Sequence, residues 1–227
     1  MSTAESTVES PPETAQEITL NLELQETDNP RIMEILNVSS TYMDSVDNTY
    51  CFSYQSPQFH ADSESAKALY QRIVDDIFPY VEDEFDCMTI DSSLLHGFIG
   101  YEVFECADVI SILVTIPYPN DVRFYYAYIY DFASGKEVTN VELLALCGLT
   151  EDSFVENAYK MEEEYWAEAL KCVPKEEREL HQIELEMTKE MTSADCTMYL
   201  DADGSLKAFI PFPSLAGSEW YYHLCEF

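Results

Sequence analysis

A chain of 227 residues is long enough for one domain with a tail or for two small domains, and 47% hydrophobic residues exclude a wholly disordered protein. The formal net charge of −33, with only 11 Lys and Arg, argues against nucleic acid and anionic lipid as partners, because both need clustered cations. No run approaches the roughly 18 apolar residues of a membrane span, and residues 1–9 lack the features of a signal peptide. The charge either keeps the protein soluble or attracts basic proteins, with halophilic adaptation as a third interpretation.

The first quarter of the chain predicts little regular structure. Residues 1–17 are mostly Ser, Thr, Glu and Pro, which predicts a disordered acidic tail. Residues 18–48 form a poorly defined segment, although 18–24 alternate as in a half-buried strand and 32–36 have weak helical character. Residues 49–59 predict a strand that ends at Pro57.

A strong helix is predicted to begin at Asp62 or Ser63, both of which are good N-caps. Its apolar residues recur at the helical spacing and make one continuous stripe: Ala66, Leu69, Tyr70, Ile73, Val74, Ile77 and Phe78. Pro79 is expected to kink or end this helix, because it lacks a backbone N–H.

From Gly97 the apolar period changes from helical to alternating. Residues 98–104, 109–116 and 122–130 are rich in β-branched and aromatic residues. Since their connections are short, we predict an antiparallel three-strand meander, closed by a turn in which Gly135 has positive φ.

Helices return in the second half of the chain. A short helix is predicted at 141–146, followed by a long one capped by Thr150. Its inner stripe is Phe154, Val155, Ala158, Tyr159, Tyr165, Trp166, Ala169 and Leu170. Its outer face carries Glu151, Asp152, Glu156, Glu163, Glu164 and Glu168. Pro174 predicts one more helix to about Met191, with Leu180, Ile183 and Met187 facing inward.

The chain closes with strands predicted at 197–200, 206–210 and 219–225. The predicted fold class is therefore α+β, with a twisted antiparallel sheet and helices packed mainly on one face. We place this domain at residues 49–227, with an N-terminal half at 49–120 and a C-terminal half at 121–227.

Sites for a metal, a cofactor or catalysis are not predicted. The motifs of nucleophile elbows, phosphate loops and zinc proteases are absent, and none of the four histidines has a second histidine or a cysteine one helical turn away. The seven cysteines have no C-x-x-C spacing, so buried free thiols are expected. The Asp201-x-Asp203-Gly204 sequence lacks the later ligands of a calcium loop and predicts a hairpin turn.

Two clusters admit functional interpretations beside structural ones. Glu162, Glu163 and Glu164 with Glu168 could serve acid–base chemistry if buried, but a solvated helix face is the default expectation. The aromatic run at 124–130 could stack on sugars, but core and cross-strand packing is favoured.

Three segments together resemble the extracytoplasmic domain of RsiV-type bacterial anti-sigma factors. Residues 126–144, with the turn Asp131-Phe132-Ala133-Ser134-Gly135-Lys136, are similar to that family's strand–turn–helix signature. Residues 62–73 resemble the helix that opens the neighbouring domain of unknown function, which is also found beside PdaC-type deacetylase domains. Residues 203–207 and 214–223 resemble the closing segment. The resemblance covers about residues 49–227.

This resemblance implies a bacterial, lipoprotein-like protein at the cell surface or otherwise outside the cytoplasm. Its globular part would bind a ligand, which in RsiV-type proteins is lysozyme. No catalytic residue, sigma-binding segment or deacetylase domain is available to carry over, and seven thiols leave a cytoplasmic location open.

The expected function is therefore non-catalytic binding or sensing, with a cationic lysozyme-like protein or a cell-wall glycan as partner. The residues expected to contact the partner are Glu156, Glu163, Glu164, Trp220 and Tyr221. The alternatives are a peptidoglycan- or glycan-acting accessory protein and a structural surface lipoprotein.

Overall fold

The computed structural model describes residues 17–19, 23–43, 49–90, 98–117, 123–212 and 221–227. The strands are β1 (Glu17–Thr19), β2 (Glu23–Glu26), β3 (Ile32–Met43), β4 (Thr49–Phe59), β5 (Phe98–Cys106), β6 (Val109–Pro117), β7 (Arg123–Asp131), β8 (Lys136–Glu137), β9 (Met198–Leu200), β10 (Leu206–Phe212) and β11 (Tyr221–Glu226). The helices are α1 (Glu64–Ile90), α2 (Asn140–Leu146), α3 (Glu151–Ala169) and α4 (Arg178–Met191). The α+β class is confirmed, whereas the predicted tail lies outside the described residues apart from Glu17.

The first eight strands form one sheet in the order β1-β3-β4-β5-β6-β7-β8, with β2 also paired to β3. The weak helical character predicted near Ile32 is wrong, because β3 pairs with β4 from Ile32 to Met43. Of the segment 18–24, predicted as one strand, residues 18–19 belong to β1 and residues 23–24 to β2, which pair with different parts of β3. Pairing partners distant in sequence override the local propensity here.

The meander of β5, β6 and β7 is confirmed. In the antiparallel pair of β5 and β6, Cys106 lies opposite Val109, and in that of β6 and β7, Val109 lies opposite Asp131. β4 joins it through two parallel pairs, Ser53↔Phe98 and Tyr54↔Ile99, the exception to the antiparallel pattern. Because β3 precedes residue 49 and pairs with β4, the sheet starts before the position at which we expected it. The halves proposed at 49–120 and 121–227 are continuous, since β6 pairs along the length of β7.

Helix α1 covers one face of this sheet. Ser63 caps its first turn by accepting a hydrogen bond from the backbone N–H of Ala66 at 3.0 Å. The predicted stripe is buried against strands β3 to β7 through Ala66, Leu69, Ile73 and Ile77. The helix continues past Pro79 to Ile90, because Pro79 is exposed and water can solvate the carbonyl that lacks its helical donor.

A second sheet, in the order β11-β10-β9, covers the other face of the meander. Leu113 of β6, Tyr199 of β9 and Phe209 of β10 form a small buried cluster between the two sheets. The rings of Tyr125 and Phe209 stack across the interface with centroids 3.8 Å apart. Thus each sheet carries helices on one face and the other sheet on its opposite face.

Helices α2, α3 and α4 pack on the outer face of the second sheet. Leu143 and Leu144 of α2 and Phe154 of α3 share a buried core with the alternate residues of β10, which are Leu206, Ala208, Ile210 and Phe212. Gly148, with φ +75°, ends the turn that follows α2. The capping box of Thr150 and Ser153 begins α3.

The predicted orientation of α4 is wrong. Ile183 and Met187, expected inside, are 60% and 48% exposed, whereas Leu185 and Thr188 are buried. The helix contains two possible inner stripes. Contacts with α3 select the one that ends in Thr192, whose hydroxyl bonds to a carboxylate of α3.

Candidate functional site

The exposed side of α3 carries most of the carboxylates expected to contact a partner. Glu156, Glu163 and Glu164 are all exposed, as predicted. Glu156 and Glu163 are seven residues apart, so they lie on the same side of the helix two turns from each other. The exposed basic side chain of Lys160 lies between Glu156 and Glu164 at one-turn spacing. After Lys160, every exposed charged side chain of α3 is acidic, namely Glu163, Glu164 and Glu168. We call this stretch the acidic half of α3.

Ion pairs within the domain neutralise only some of the exposed carboxylates of α3. Lys189 of α4 pairs with Glu163, and Lys171 pairs with Glu168. Glu164 has no ion pair within the described ranges. A carboxylate that is exposed and unpaired keeps its charge available to a partner.

An aromatic group adjoins this acidic half of α3. The ring of Tyr165 lies 4.8 Å from that of Phe212 and 5.0 Å from that of His223. Tyr221 pairs with Phe212 in the β10–β11 register, which places it beside the same group, and it is 46% exposed. Burial lowers the pKa of His223, which favours the neutral form of its ring.

The tertiary structure thus brings the predicted residues Glu164 and Tyr221 to one region, whereas Glu163 lies on the other side of α3, where it pairs with Lys189 of α4. We call this region the acidic–aromatic surface, and its members are Glu164, Tyr165, Glu168, Tyr221 and His223. Glu156 lies outside it, beyond Lys160. Trp220, the remaining predicted contact residue, lies outside the described residues.

Glu162 corrects the expectation that the acidic cluster is wholly solvated. Its side chain is fully buried between α3 and α4, where the Thr192 hydroxyl donates a hydrogen bond to one carboxyl oxygen. The other oxygen, Oε2, has no partner among the described residues. Burial raises the pKa of Glu162 to about 7, although the Thr192 hydrogen bond and the Lys189 charge oppose this shift.

The burial of Glu162 had a signal in the sequence. Phe154, Ala158, Glu162 and Trp166 are four residues apart, and all four are buried. The position of Glu162 on the apolar stripe therefore indicated its burial, whereas its neighbours Glu163 and Glu164 suggested exposure.

The aromatic run at 124–130 contributes mainly to packing, as favoured. Tyr128 and Tyr130 belong to the core beneath α1, and Tyr125 packs between the sheets. Tyr125 also lines a cavity of about 270 Å³ with Arg123, Phe209 and Tyr222. This cavity lies where β7 approaches β10 and β11.

The Asp201–Gly204 segment forms a hairpin turn between β9 and β10, as predicted, with Gly204 at φ +85°. No group of three or more His, Cys, Asp and Glu side chains within the described ranges could hold a metal ion. Among the side chains that the structure describes, five cysteines are free: Cys106, Cys147, Cys196 and Cys225 are partly buried, and Cys172 is exposed.

The helices were checked for membrane spans, and the sequence was compared with known proteins. Within the part that the structure describes, no helix is long and apolar enough to cross a membrane. No protein-family model and no curated protein matches the sequence.

Proposed function

We propose that this domain is a non-catalytic binding or sensing module for a cationic protein, with the acidic–aromatic surface as its docking site. The observation that carries the proposal is the contact between Tyr165 on α3 and His223 on β11, which joins exposed carboxylates to exposed aromatic rings. Lys and Arg side chains bind to such a pair of groups, because the carboxylate supplies charge and the ring supplies area and a negative face.

The charge of the whole chain supports the same kind of partner. A net charge of −33 attracts a basic protein over long range and orients it, whereas the short-range contacts decide its identity. A lysozyme-like enzyme at the bacterial cell surface is the specific candidate. This choice rests on the resemblance to RsiV-type proteins.

The proposal is tested by titration against lysozyme, with cytochrome c as a basic control, at about 0.15 M salt, where the Debye length is about 8 Å. We expect binding to lysozyme alone, weakened about three- to tenfold in the double variant Glu164→Gln/Glu168→Gln, since an exposed pair contributes about 0.2–1 kcal/mol. The variant Asp75→Asn/Glu102→Gln removes the same charge from α1 and β5 and should bind normally. If neither lysozyme nor cytochrome c binds at this salt concentration, the charge serves solubility and not recognition.

A glycan-acting enzyme is the second candidate, because the pKa of Glu162, about 7, suits acid–base chemistry near neutrality. Against it, the carboxyl group is fully buried, and Glu162 lines none of three cavities in the described parts of the chain, at Tyr125, at Arg31 and at Asn140. In the same study, turnover of peptidoglycan that disappears in Glu162→Gln would overturn the binding proposal. A structural lipoprotein would show neither turnover nor a ligand.

A further inference from the structure

The sheet edges of this protein differ in how their backbone groups are satisfied. The larger sheet ends at β8, which has two residues, and the outward N–H of Glu137 donates to Ser65 Oγ at 2.9 Å. In the second sheet, β9 has its outward N–H of Leu200 bonded to Ser111 Oγ at 3.1 Å. Both edges are therefore short and closed by side chains, which is how proteins prevent unwanted strand pairing.

The opposite edge of the second sheet, β11, is arranged differently. The backbone N–H of Phe227 donates to Leu206 O at 3.0 Å. This bond shows which residues of β11 direct their backbone groups towards β10. In an antiparallel pair the hydrogen-bonded residues alternate, so Tyr221, His223 and Cys225 bond towards β10. Tyr222 and Leu224 therefore direct their N–H and C=O groups away from the sheet. No strand pairs with that side of β11 in the parts of the chain that the structure describes.

The side chains of β11 do not protect this edge. Residues 221–226 contain no Lys and no Pro, which natural edge strands use against pairing, and the charged side chain of Glu226 is paired with Lys207 of β10. Instead Tyr221, Tyr222 and Leu224 are each about half exposed, at 46%, 47% and 51%. An exposed apolar edge with unpaired backbone groups is the surface to which an extended segment adds as a new strand.

A cavity adjoins the edge on the face that points towards the first sheet. Tyr222 pairs with Pro211, so its side chain lies on the same face as Phe209, and both line the 270 Å³ cavity with Tyr125. An added strand would direct every second side chain to this face. The cavity is smaller than the about 300–1,000 Å³ of small-molecule sites, and it suits one large apolar side chain.

The other face of β11 carries a different chemistry. His223 and Tyr221 lie there beside Tyr165 and the carboxylates of Glu164 and Glu168. Side chains of an added strand that point to this face would meet the acidic–aromatic surface. Basic residues at alternate positions would fit it.

We propose that the free edge of β11 binds an extended segment of the cationic partner as a fourth strand. Its apolar residues would alternate with Lys or Arg. This inference rests on the proposed function, because the acidic–aromatic surface forms one side of the docking edge. A second copy of the chain is the less suitable occupant, since two molecules that each carry −33 repel one another.

The test uses a synthetic peptide of about eight residues in which Lys and Val alternate, matched to the length of a typical strand. The first control has the same composition with Lys and Val in separate blocks. The second has N-methyl groups on every other residue, which removes backbone donors from one edge and leaves the charge unchanged. We expect the alternating peptide to bind at about 0.15 M salt and both controls to bind at least about tenfold more weakly.

On the protein side, Leu224→Pro removes an N–H that the β10–β11 ladder does not use, so the fold should tolerate it. This variant should lose at least about tenfold in peptide affinity, whereas Leu224→Ala, which shortens the same half-exposed side chain but keeps the backbone N–H, should bind nearly as well as the wild type. Equal affinity of the methylated and unmethylated peptides would overturn the proposal, as would a dimer of the chain that Leu224→Pro abolishes.

The two proposals fail separately. If lysozyme binds the Leu224→Pro variant normally but binds Glu164→Gln/Glu168→Gln weakly, the proposed function stands and the docking edge does not. If lysozyme does not bind, but the alternating peptide binds more tightly than both control peptides and loses affinity in Leu224→Pro, the partner is another basic protein.

Discussion

Helices α1 and α3 both pack against a sheet, but they bury different chemistry. The inner stripe of α1 is apolar at every buried position, from Ala66 to Ile77. The stripe of α3 includes Glu162 between Ala158 and Trp166. Both helices also offer a carboxylate to a hydroxyl group: Asp76 accepts from Tyr128 at 3.1 Å, and Glu162 accepts from Thr192.

The difference lies in access to water. Asp76 is only partly buried, whereas Glu162 is completely buried and one of its oxygens has no partner among the described residues. A carboxylate at the rim of a core keeps its contact with water. Inside the core a carboxyl group favours the protonated form, because burial penalises the charge. We therefore expect the interface of α3 and α4 to depend on pH through Glu162.

The largest expected effect tests the apolar interface. Ile73→Ala in α1 should lower the free energy of unfolding by about 2–5 kcal/mol, because Ile73 is fully buried and its removal leaves a cavity. Ile183→Ala in α4 is the matched control and should change it by less than about 0.5 kcal/mol, since Ile183 is 60% exposed. Urea unfolding measures both variants. Similar losses in both would mean that α4 has the orientation first predicted from its sequence.

The next effect tests the pH dependence of the α3–α4 interface. The pKa of Glu162 is about 7 in the folded state against an ordinary value of 4.5, so the folded protein binds the extra proton between these values. Its contribution to stability therefore falls as pH rises through this window, by about 2–3 kcal/mol. The Glu162→Gln variant cannot ionise and should lack this loss.

The measurement is urea unfolding of both proteins at pH 5 and pH 8. Glu162→Gln should equal the wild type at pH 5 and exceed it at pH 8. Asp76→Asn provides the matched control, because it makes the same carboxylate-to-amide change at the partly buried rim of the other interface. A constant difference between Glu162→Gln and wild type would show that Glu162 does not titrate in this range.

The smallest expected effect concerns the start of α3, which positions both Glu162 and the exposed carboxylates. Thr150→Ala removes the side chain that accepts a hydrogen bond from the backbone N–H of Ser153, and should cost about 1 kcal/mol. Thr150→Ser keeps the hydroxyl and should cost much less. Thermal unfolding followed by circular dichroism compares the two, and an equal cost would mean that the methyl group matters rather than the cap.

Elements with a strong local pattern were predictable from the sequence. The stripe of α1, the alternation of β5 to β7 and the Thr150 cap each depend on residues close together in the chain. The hairpin turn at Asp201–Gly204 belongs to the same class, because positive φ at Gly204 is a local requirement. The exposed positions of Glu163 and Glu164 also followed from the helical period.

Other features depended on contacts between distant residues. The pairing of β3 with β4 brings together residues up to 27 positions apart, such as Ile32 and Phe59. The orientation of α4 depends on its contacts with α3, which include the hydrogen bond between Thr192 and Glu162.

By itself, then, the sequence determined the α+β class, the main helices, the meander and the acidic outer face of α3. Only the tertiary structure decided that a second sheet stacks on the meander and that Glu162 is buried. It also decided that Tyr165 meets His223 at the open edge of β11. The physical reason is that helical and strand periods are set by neighbouring residues, whereas burial and pairing depend on which distant surfaces meet.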